Sequence, residues 1–159
     1  MNQHAAKSRA LSVAQWRELT KEGLFIPVRF HLSGNSMWPL IRIHRDQVTV
    51  HPIHRPLKRG DIVLFADDLG RYVVHRVWKL EEDHVVTLGD HCHWPDAPLR
   101  YDQIWGLVTE MERSGRRVSL DCRASRAWGL VWMGLFPVRK AYYTTRAFAG
   151  RIYRKLKGR

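Results

Sequence analysis

The sequence has few cysteines and no long apolar run, and each shortage excludes a class of protein. Cys92 and Cys122 are the two cysteines among 159 residues, too few for a disulfide framework and typical of a reducing compartment. No stretch approaches the roughly 20 apolar residues that span a bilayer. The stretch from Met1 to Leu24 also lacks the apolar centre of a signal peptide. We therefore expect a cytoplasmic protein, at most peripheral at the membrane.

Acidic residues are scarce as well, because 15 Asp and Glu stand against 27 Lys and Arg, which gives a net charge of +12. The excess is concentrated at one end, where eight Lys or Arg and no Asp or Glu occur from Ala127 to Arg159. Such a segment predicts an anionic partner, either a lipid surface or a nucleic acid. The sequence contains no recognised nucleic-acid-binding module, so no specific nucleic acid partner is expected.

The remaining composition is typical of a folded domain. An apolar fraction of 45% and a charged fraction of 26% suit one globular unit with a core of its own. We divide the chain into three segments. They are an N-terminal helical segment over residues 1–23, a β-rich domain over 24–122, and a basic, partly apolar helical extension over 123–159.

Local patterns support this division. Ser12 and Gln15 have the spacing of a capping box, which begins a short helix that ends near Gly23. Between residues 24 and 120, short runs rich in Val, Ile and aromatic residues alternate with turn signals, and this pattern predicts strands. The runs are LFIPVRF, DQVTV, DIVLF, RYVVHRVWKL, HVVTL, QIWGLV and RRVSL. The fold class is therefore expected to be mainly β.

Turn residues separate these runs. Residues 67–70 and 114–115 have the composition of hairpin loops. The stretch GDHCHWPDAPLRYD, residues 89–102, is expected to be a long irregular connection, because Pro95 and Pro98 interrupt regular structure. Long loops in compact domains often carry functional residues.

The C-terminal extension is predicted to form two helical segments. AWGLVWMGLFPV, residues 127–138, is apolar all round, and the stretch after it places Ala141, Phe148, Ile152 and Leu156 near helical spacing. Pro137 should kink or separate the two. Two hypotheses stay open: residues 127–159 bind an anionic membrane surface, or the apolar face packs on the β domain while the cations remain solvated.

Two residues have the chemistry of a nucleophile and a base. Ser36 lies in the run SGNSMWPL, and a serine hydroxyl needs a base within hydrogen-bond reach and donors for the oxyanion before it can attack. His75 lies in the middle of RYVVHRVWKL, where a titratable side chain is either a satisfied core histidine or a functional group. The combination of these residues with their neighbours is more informative than either alone.

Five motifs follow one another in a recognisable order: SGNSMWPLIRIHRDQVTV, LKRGDIVLF, VVHRV, TLGDHCHWPD and IWGLV. Their order and spacing, over roughly Phe25 to Val108, resemble the signal peptidase I and LexA-like serine proteases. Most bacterial members have a lysine where this chain has His75. The HRV form, followed by a Gly-Asp loop that ends in a second Asp, is similar to the endoplasmic-reticulum and archaeal signal peptidases, and the short chain is similar to the small soluble members.

This resemblance implies a fold and a set of roles. The fold would be a signal-peptidase/LexA-like β-rich catalytic domain. Ser36 would be the nucleophile, His75 the general base, and Asp90 or Asp96 the carboxylate that orients the histidine. The substrate would be an extended peptide with small side chains next to the cleaved bond.

The chain departs from the family at the oxyanion hole. Many signal peptidases have a serine two places before the nucleophile, where this chain has Gly34. The backbone N–H of Ser36 remains a donor, and Asn35 and Ser33 are candidates for the second donor. Membrane-anchored relatives also carry a transmembrane helix, which this sequence lacks.

The expected function is that of a serine endopeptidase with a Ser-His(-Asp) site that cleaves an extended peptide or precursor protein. The alternative is a catalytically inactive protein of the same fold that binds peptides or a membrane surface. No cofactor and no metal is expected. His91, Cys92 and His93 are zinc-ligand types, but a closed zinc site needs four ligands and Cys122 is distant in sequence.

The base also sets a pH expectation. With a histidine as base, activity should rise through a pKa of about 6 to 7.5. A limb only above pH 9 would instead indicate a lysine base, such as Lys58 or Lys79.

Overall fold

The structure, a computed structural model, describes residues 12–157, with the backbone alone over 147–156. In chain order its elements are α1 (Val13–Lys21), β1 (Val28–His31), β2 (Asp46–Pro52), β3 (Ile62–Ala66), β4 (Tyr72–Leu80), β5 (His84–Leu88), β6 (Leu99–Arg100), a 3₁₀ turn (Tyr101–Gln103), β7 (Ile104–Arg113), β8 (Arg116–Ser119), α2 (Arg123–Gly134) and α3 (Phe136–Lys157). The expected mainly β class is confirmed. Residues 1–11 and 158–159 of the predicted terminal segments lie outside the described residues, as do the side chains of Phe148, Ile152 and Leu156.

The strands form one antiparallel sheet in the order β1-β2-β7-β3-β4-β5-β6, and β8 pairs with β7. All seven predicted runs contain a strand. The two predicted hairpin loops are also confirmed, with Gly70 at φ 72° and Gly115 at φ 76°, the left-handed region that glycine tolerates. The sequence did not predict β6. It has two residues and follows Pro98, so it is too short for an alternating pattern.

Both faces of the sheet are covered. Along β3, Ile62 and Leu64 belong to one buried cluster, while Val63 and Phe65 belong to a second, because successive side chains in a strand point to opposite faces. The first cluster also contains Met37, which is fully buried. The residue next to Ser36 therefore anchors the serine segment in the core.

Helix α1 follows the predicted capping box. The Ser12 hydroxyl accepts a hydrogen bond from the Gln15 N–H at 3.2 Å, and the Gln15 side chain accepts one from the Ser12 N–H at 3.0 Å. Trp16 is fully buried and its indole N–H donates to the Ile26 carbonyl at 2.7 Å. Gly23, at φ 91°, follows the helix end. The helix is thus docked on the domain by Trp16, with Val13 packed against the same core cluster.

The C-terminal extension forms α2 and α3, separated only by Leu135. Pro137 is the second residue of α3, in the first turn, where its missing N–H costs no helical hydrogen bond. Gly129, Met133 and Phe136 are buried against the domain. A second set of apolar side chains, here called the outer stripe, is exposed: Trp128, Val131, Leu135, Val138 and Tyr142. Over residues 12–157, no helix has the length and apolar character needed to cross a bilayer.

Candidate active site

Strand β4 presents His75 and Arg76 to opposite sides of the sheet. The register pairs His75 with Val63 and Arg76 with Ile62, which belong to the two different core clusters. His75 is 6% exposed and Arg76 is fully buried. Two ionisable side chains in a buried strand need specific partners, and the 89–102 loop supplies an aspartate to each.

His75 is paired with Asp96. His75 Nδ1 lies 2.6 Å from Asp96 Oδ2. The same oxygen accepts the Thr87 hydroxyl at 2.6 Å, and the Asp96 N–H donates to the Thr87 carbonyl at 2.9 Å. An ionised carboxylate only accepts, so the ring donates from Nδ1. In the neutral ring this tautomer leaves Nε2 free to accept a proton, as a general base requires.

The surroundings of His75 act on its pKa in two directions. Burial lowers the pKa, but the hydrogen bond and the charge of Asp96, together with Cys92, outweigh burial and raise it to about 9. The imidazolium therefore predominates at neutral pH. This corrects the expectation of a pKa of 6 to 7.5, which used the value of a solvated ring. Lys58 and Lys79 are exposed on the surface, so a limb near pH 9 no longer distinguishes a lysine base from His75.

The serine segment meets the histidine beside Gly89. A Cβ atom at Gly89 would lie 2.8 Å from the Ser36 carbonyl oxygen and 2.9 Å from His75 Nε2. No side chain fits there, since Cβ contacts this short do not occur without a shift of the neighbours. The Ser36 carbonyl also accepts the His91 N–H at 2.7 Å. The backbone of the predicted nucleophile and the free nitrogen of the predicted base thus adjoin the same glycine.

The Ser36 hydroxyl itself forms no hydrogen bond to the His75 ring in this structure. The side-chain atom within hydrogen-bonding range of Nε2 is Cys92 Sγ, at 4.0 Å. In free enzymes, catalytic hydrogen bonds are often long and shorten when substrate binds. Ser36 is half-buried, and its position as catalytic nucleophile stays a prediction.

The residues considered for the oxyanion hole lie at the surface. Ser33, Gly34 and Asn35 are exposed, and the Asn35 carbonyl accepts the Trp38 N–H at 3.0 Å. A Cβ atom at Gly34 would meet no atom within 4 Å. The segment therefore has room for the hydroxyl that many signal peptidases carry at this place.

Asp90 has a different partner from Asp96. Its two carboxylate oxygens accept from Arg76 Nε at 2.9 Å and from Arg76 Nη2 at 2.7 Å. Arg76 Nη1 also donates to the Gly60 carbonyl at 2.9 Å. Asp90 is 2% exposed. Of the two aspartates predicted to support His75, the structure therefore places Asp96 on the ring and Asp90 in a buried, bidentate ion pair.

Several residues that frame this site have no role in the sequence-based predictions. Helix α2 lies directly over Arg76, because a Cβ at Gly129 would be 2.4 Å from Arg76 Nη1. The Asp90 carbonyl accepts the Trp132 indole N–H at 2.8 Å and also the Arg139 guanidinium. The contacts of Trp132 and Arg139 join distant parts of the chain and leave no local pattern. The HRV motif was the only signal for Arg76.

The histidines of the 89–102 loop contact a tyrosine of α3 and each other. The rings of His93 and Tyr143 are 4.5 Å apart, and His91 lies 5.9 Å from Tyr143. Over residues 12–157, no group of three or more His, Cys, Asp or Glu side chains has an arrangement that could hold a metal ion.

Comparison with models of known protein families gives no match, and no curated protein matches the chain.

Proposed function

We propose that the protein is a serine endopeptidase in which Ser36 is the nucleophile, His75 the general base and Asp96 the carboxylate that orients the base. The observation that carries the proposal is the 2.6 Å hydrogen bond between His75 Nδ1 and Asp96 Oδ2. It directs Nε2 toward Gly89, where the Ser36 backbone also lies. The resemblance of the ordered motifs to signal peptidases adds to this argument from the residues.

The chemistry proceeds from the neutral form of His75. Nε2 takes the Ser36 proton as the oxygen attacks the peptide carbonyl, and Asp96 stabilises the imidazolium that forms. His75 then gives this proton to the leaving amine. Water, activated by the same nitrogen, releases the acyl group from Ser36. The N–H of Ser36 donates to the oxyanion, with Asn35 or Ser33 as the second donor.

The substrate is proposed to be an extended peptide with small side chains beside the cleaved bond. Strand β1 is at one end of the sheet, where β2 is its one partner strand among residues 12–157, and it leads into the serine segment within a few residues. An unpaired strand edge can bind a peptide by backbone hydrogen bonds. This edge suits a substrate recognised mainly through its backbone.

A peptide-library cleavage assay tests the proposal. The purified chain is incubated at pH 9 with a proteome-derived peptide library, and new N-termini are identified by mass spectrometry. We expect cleavage that is lost in Ser36→Ala and His75→Ala, because both steps of acyl transfer need these groups. Ser119→Ala is the matched control, since Ser119 is exposed on β8 and has no role in the proposed reaction, and it should retain most of the activity.

The assay separates the two functional hypotheses. New N-termini that persist in Ser36→Ala would overturn the serine mechanism. A chain that retains peptides without cutting them, equally in the wild type and in Ser36→Ala, would support the catalytically inactive binding protein.

A second proposal concerns the outer stripe of α2 and α3. Its five side chains are between 45% and 66% exposed and lie at helical spacing, in a segment whose charged residues are all cations. Apolar side chains flanked by cations are typical of helices that lie in a membrane interface, and each cation near an anionic leaflet adds roughly 1 kcal/mol. We propose that this face binds anionic lipid.

Vesicle co-sedimentation tests the lipid proposal. We expect the full chain to bind phosphatidylglycerol vesicles and to bind phosphatidylcholine vesicles at least about tenfold more weakly, because the cations need anionic headgroups. The double variant with Val131→Asp and Val138→Asp should no longer sediment with phosphatidylglycerol vesicles. Val118→Asp is the control, since Val118 is 41% exposed on β8, away from the outer stripe. Equal vesicle binding by the wild type, the double variant and the Val118→Asp control would contradict the proposal.

A further inference from the structure

Cys92 is a nucleophilic side chain that the proposed hydrolysis does not use. Its Sγ lies 4.0 Å from His75 Nε2, on the side of the ring opposite to the nitrogen that donates to Asp96. Its backbone N–H donates to the Gly89 carbonyl at 2.9 Å, and a Cβ at Gly89 would lie 2.5 Å from Sγ. The glycine therefore gives the thiol its place against the ring. Cys, His and Asp side chains form one connected row.

Two basic side chains, His75 and Arg139, act on the surroundings of this thiol. Next to Sγ is the His75 ring, whose imidazolium Asp96 stabilises. Arg139 adds a second positive charge. Burial lowers the pKa of Arg139, while the charges of Asp90, Tyr143 and Cys92 oppose this effect.

The guanidinium of Arg139 also has spare donors. Its Nε and Nη2 atoms are buried and donate to no other described residue. Buried, unpaired guanidinium donors are costly unless an anionic group accepts them.

We propose that Cys92 is a reactive thiol, activated by His75, and that it is a site of oxidation by peroxides. Cys92 is half-buried, so a small oxidant reaches it. The same position next to Nε2 means that a modified sulfur occupies the place through which the Ser36 proton would move.

The oxidation is a two-electron step. The thiolate sulfur attacks one oxygen of hydrogen peroxide, the S–O bond forms and the O–O bond breaks. Sulfur is oxidised to sulfenic acid and the peroxide is reduced, its second oxygen leaving as hydroxide. The imidazolium of His75 protonates this hydroxide to water and returns to the neutral ring.

The rate of alkylation by iodoacetamide at pH 6 measures the reactivity of the thiol directly. Cys122 is an internal control, because it is also half-buried and caps the N-terminus of α2, with the Ser125 N–H donating to its Sγ at 3.4 Å. We expect Cys92 to react at least about tenfold faster than Cys122. Peptide mass spectrometry measures the rate of alkylation at each cysteine. Treatment with hydrogen peroxide and dimedone should likewise label Cys92 in preference to Cys122.

Variants test the activation by His75. His75→Gln and Asp96→Asn should each slow Cys92 alkylation at pH 6 by about tenfold or more and leave the Cys122 rate unchanged, while thermal unfolding monitors the fold. Two variants are used so that the misfolding of one does not remove the test. Equal rates for Cys92 and Cys122 in the wild type, or a Cys92 rate that is unaffected in a folded variant, would overturn the proposal.

The thiol proposal stands apart from the endopeptidase proposal. Ser36→Ala should keep the fast reaction of Cys92 although it abolishes hydrolysis. If no Ser36-dependent cleavage is found, the alkylation rates remain a valid measure of the Cys92–His75 pair. The two proposals can therefore fail independently.

Discussion

Neighbouring residues of one strand form two ion pairs with opposite properties. Arg76 and Asp90 are 0% and 2% exposed at the side chain and share two hydrogen bonds. The side chains of His75 and Asp96 are 8% and 26% exposed and share one. Both aspartates come from the same loop. The two pairs thus differ in burial and in the basic residue that binds the aspartate. They do not differ in position, because both join β4 to the 89–102 loop.

This difference separates a structural pair from a chemical one. Arginine stays charged and its bidentate geometry gives each carboxylate oxygen of Asp90 a donor, so the buried pair joins β4 to the loop. His75 is also charged at neutral pH, but its pKa of about 9 lets it lose the proton within a moderate pH range, and its second nitrogen adjoins the serine segment and the Cys92 thiol.

The largest effect is expected for Asp96→Asn on catalysis. Without the carboxylate, the Nδ1 tautomer and the imidazolium of the transition state are both destabilised, so kcat should fall about 10³- to 10⁴-fold. The measurement is the steady-state rate at pH 9 on a peptide found in the library assay. Thr87→Val is the companion variant, since it removes the hydroxyl that binds Asp96, and it should cause a smaller loss. A fully active Asp96→Asn would remove Asp96 from the site.

The second effect concerns stability and the other pair. Asp90→Asn leaves the Arg76 charge buried without its counter-ion, and breaking a buried pair from one side costs about 3–5 kcal/mol. Urea unfolding monitored by tryptophan fluorescence gives the change in unfolding free energy. Asp67→Asn is the control, because Asp67 pairs with Arg71, whose side chain is 71% exposed. A loss below about 1 kcal/mol would show that the buried pair does not hold β4 and the loop together.

The third effect is a pH dependence of stability at the His75 pair. The pKa of His75 is raised in the folded chain, from 6.5 to about 9, so folding favours the protonated form. This stabilisation is complete below pH 6.5 and is lost as the pH rises through 9, with a total of about 3 kcal/mol. The difference in unfolding free energy between the wild type and Asp96→Asn should therefore be largest at pH 6 and small at pH 10. The same difference at both pH values would contradict the raised pKa.

Local patterns predicted most elements of the fold. The strands, the hairpins and the capping box of α1 each depend on a few neighbouring residues, and these predictions are confirmed. The motifs also selected His75 and two aspartates. The choice between Asp90 and Asp96 depends on which side of the sheet each loop carboxylate reaches, and spacing along the chain does not determine that direction.

Other features depend on tertiary contacts and burial. The pKa of His75 could not be predicted, because the sequence does not show how deeply the ring is buried or that Asp96 and Cys92 flank it. The contact of Cys92 with the ring requires the turn at Gly89. The contacts of the extension with Asp90 join residues 42 and 49 positions apart.

The smallest effect tests whether the extension supports the buried pair. Trp132→Phe keeps an aromatic ring but removes the indole N–H that donates to the Asp90 carbonyl at 2.8 Å, and one such hydrogen bond contributes about 1 kcal/mol. Trp128→Phe is the matched control, since Trp128 stacks on Trp132 at 6.0 Å and is 49% exposed. Urea unfolding should show the loss in Trp132→Phe only. Equal stability of the two variants would mean that α2 packs over Arg76 without stabilising the Asp90 backbone, so that the buried pair would depend on the sheet and its loop alone.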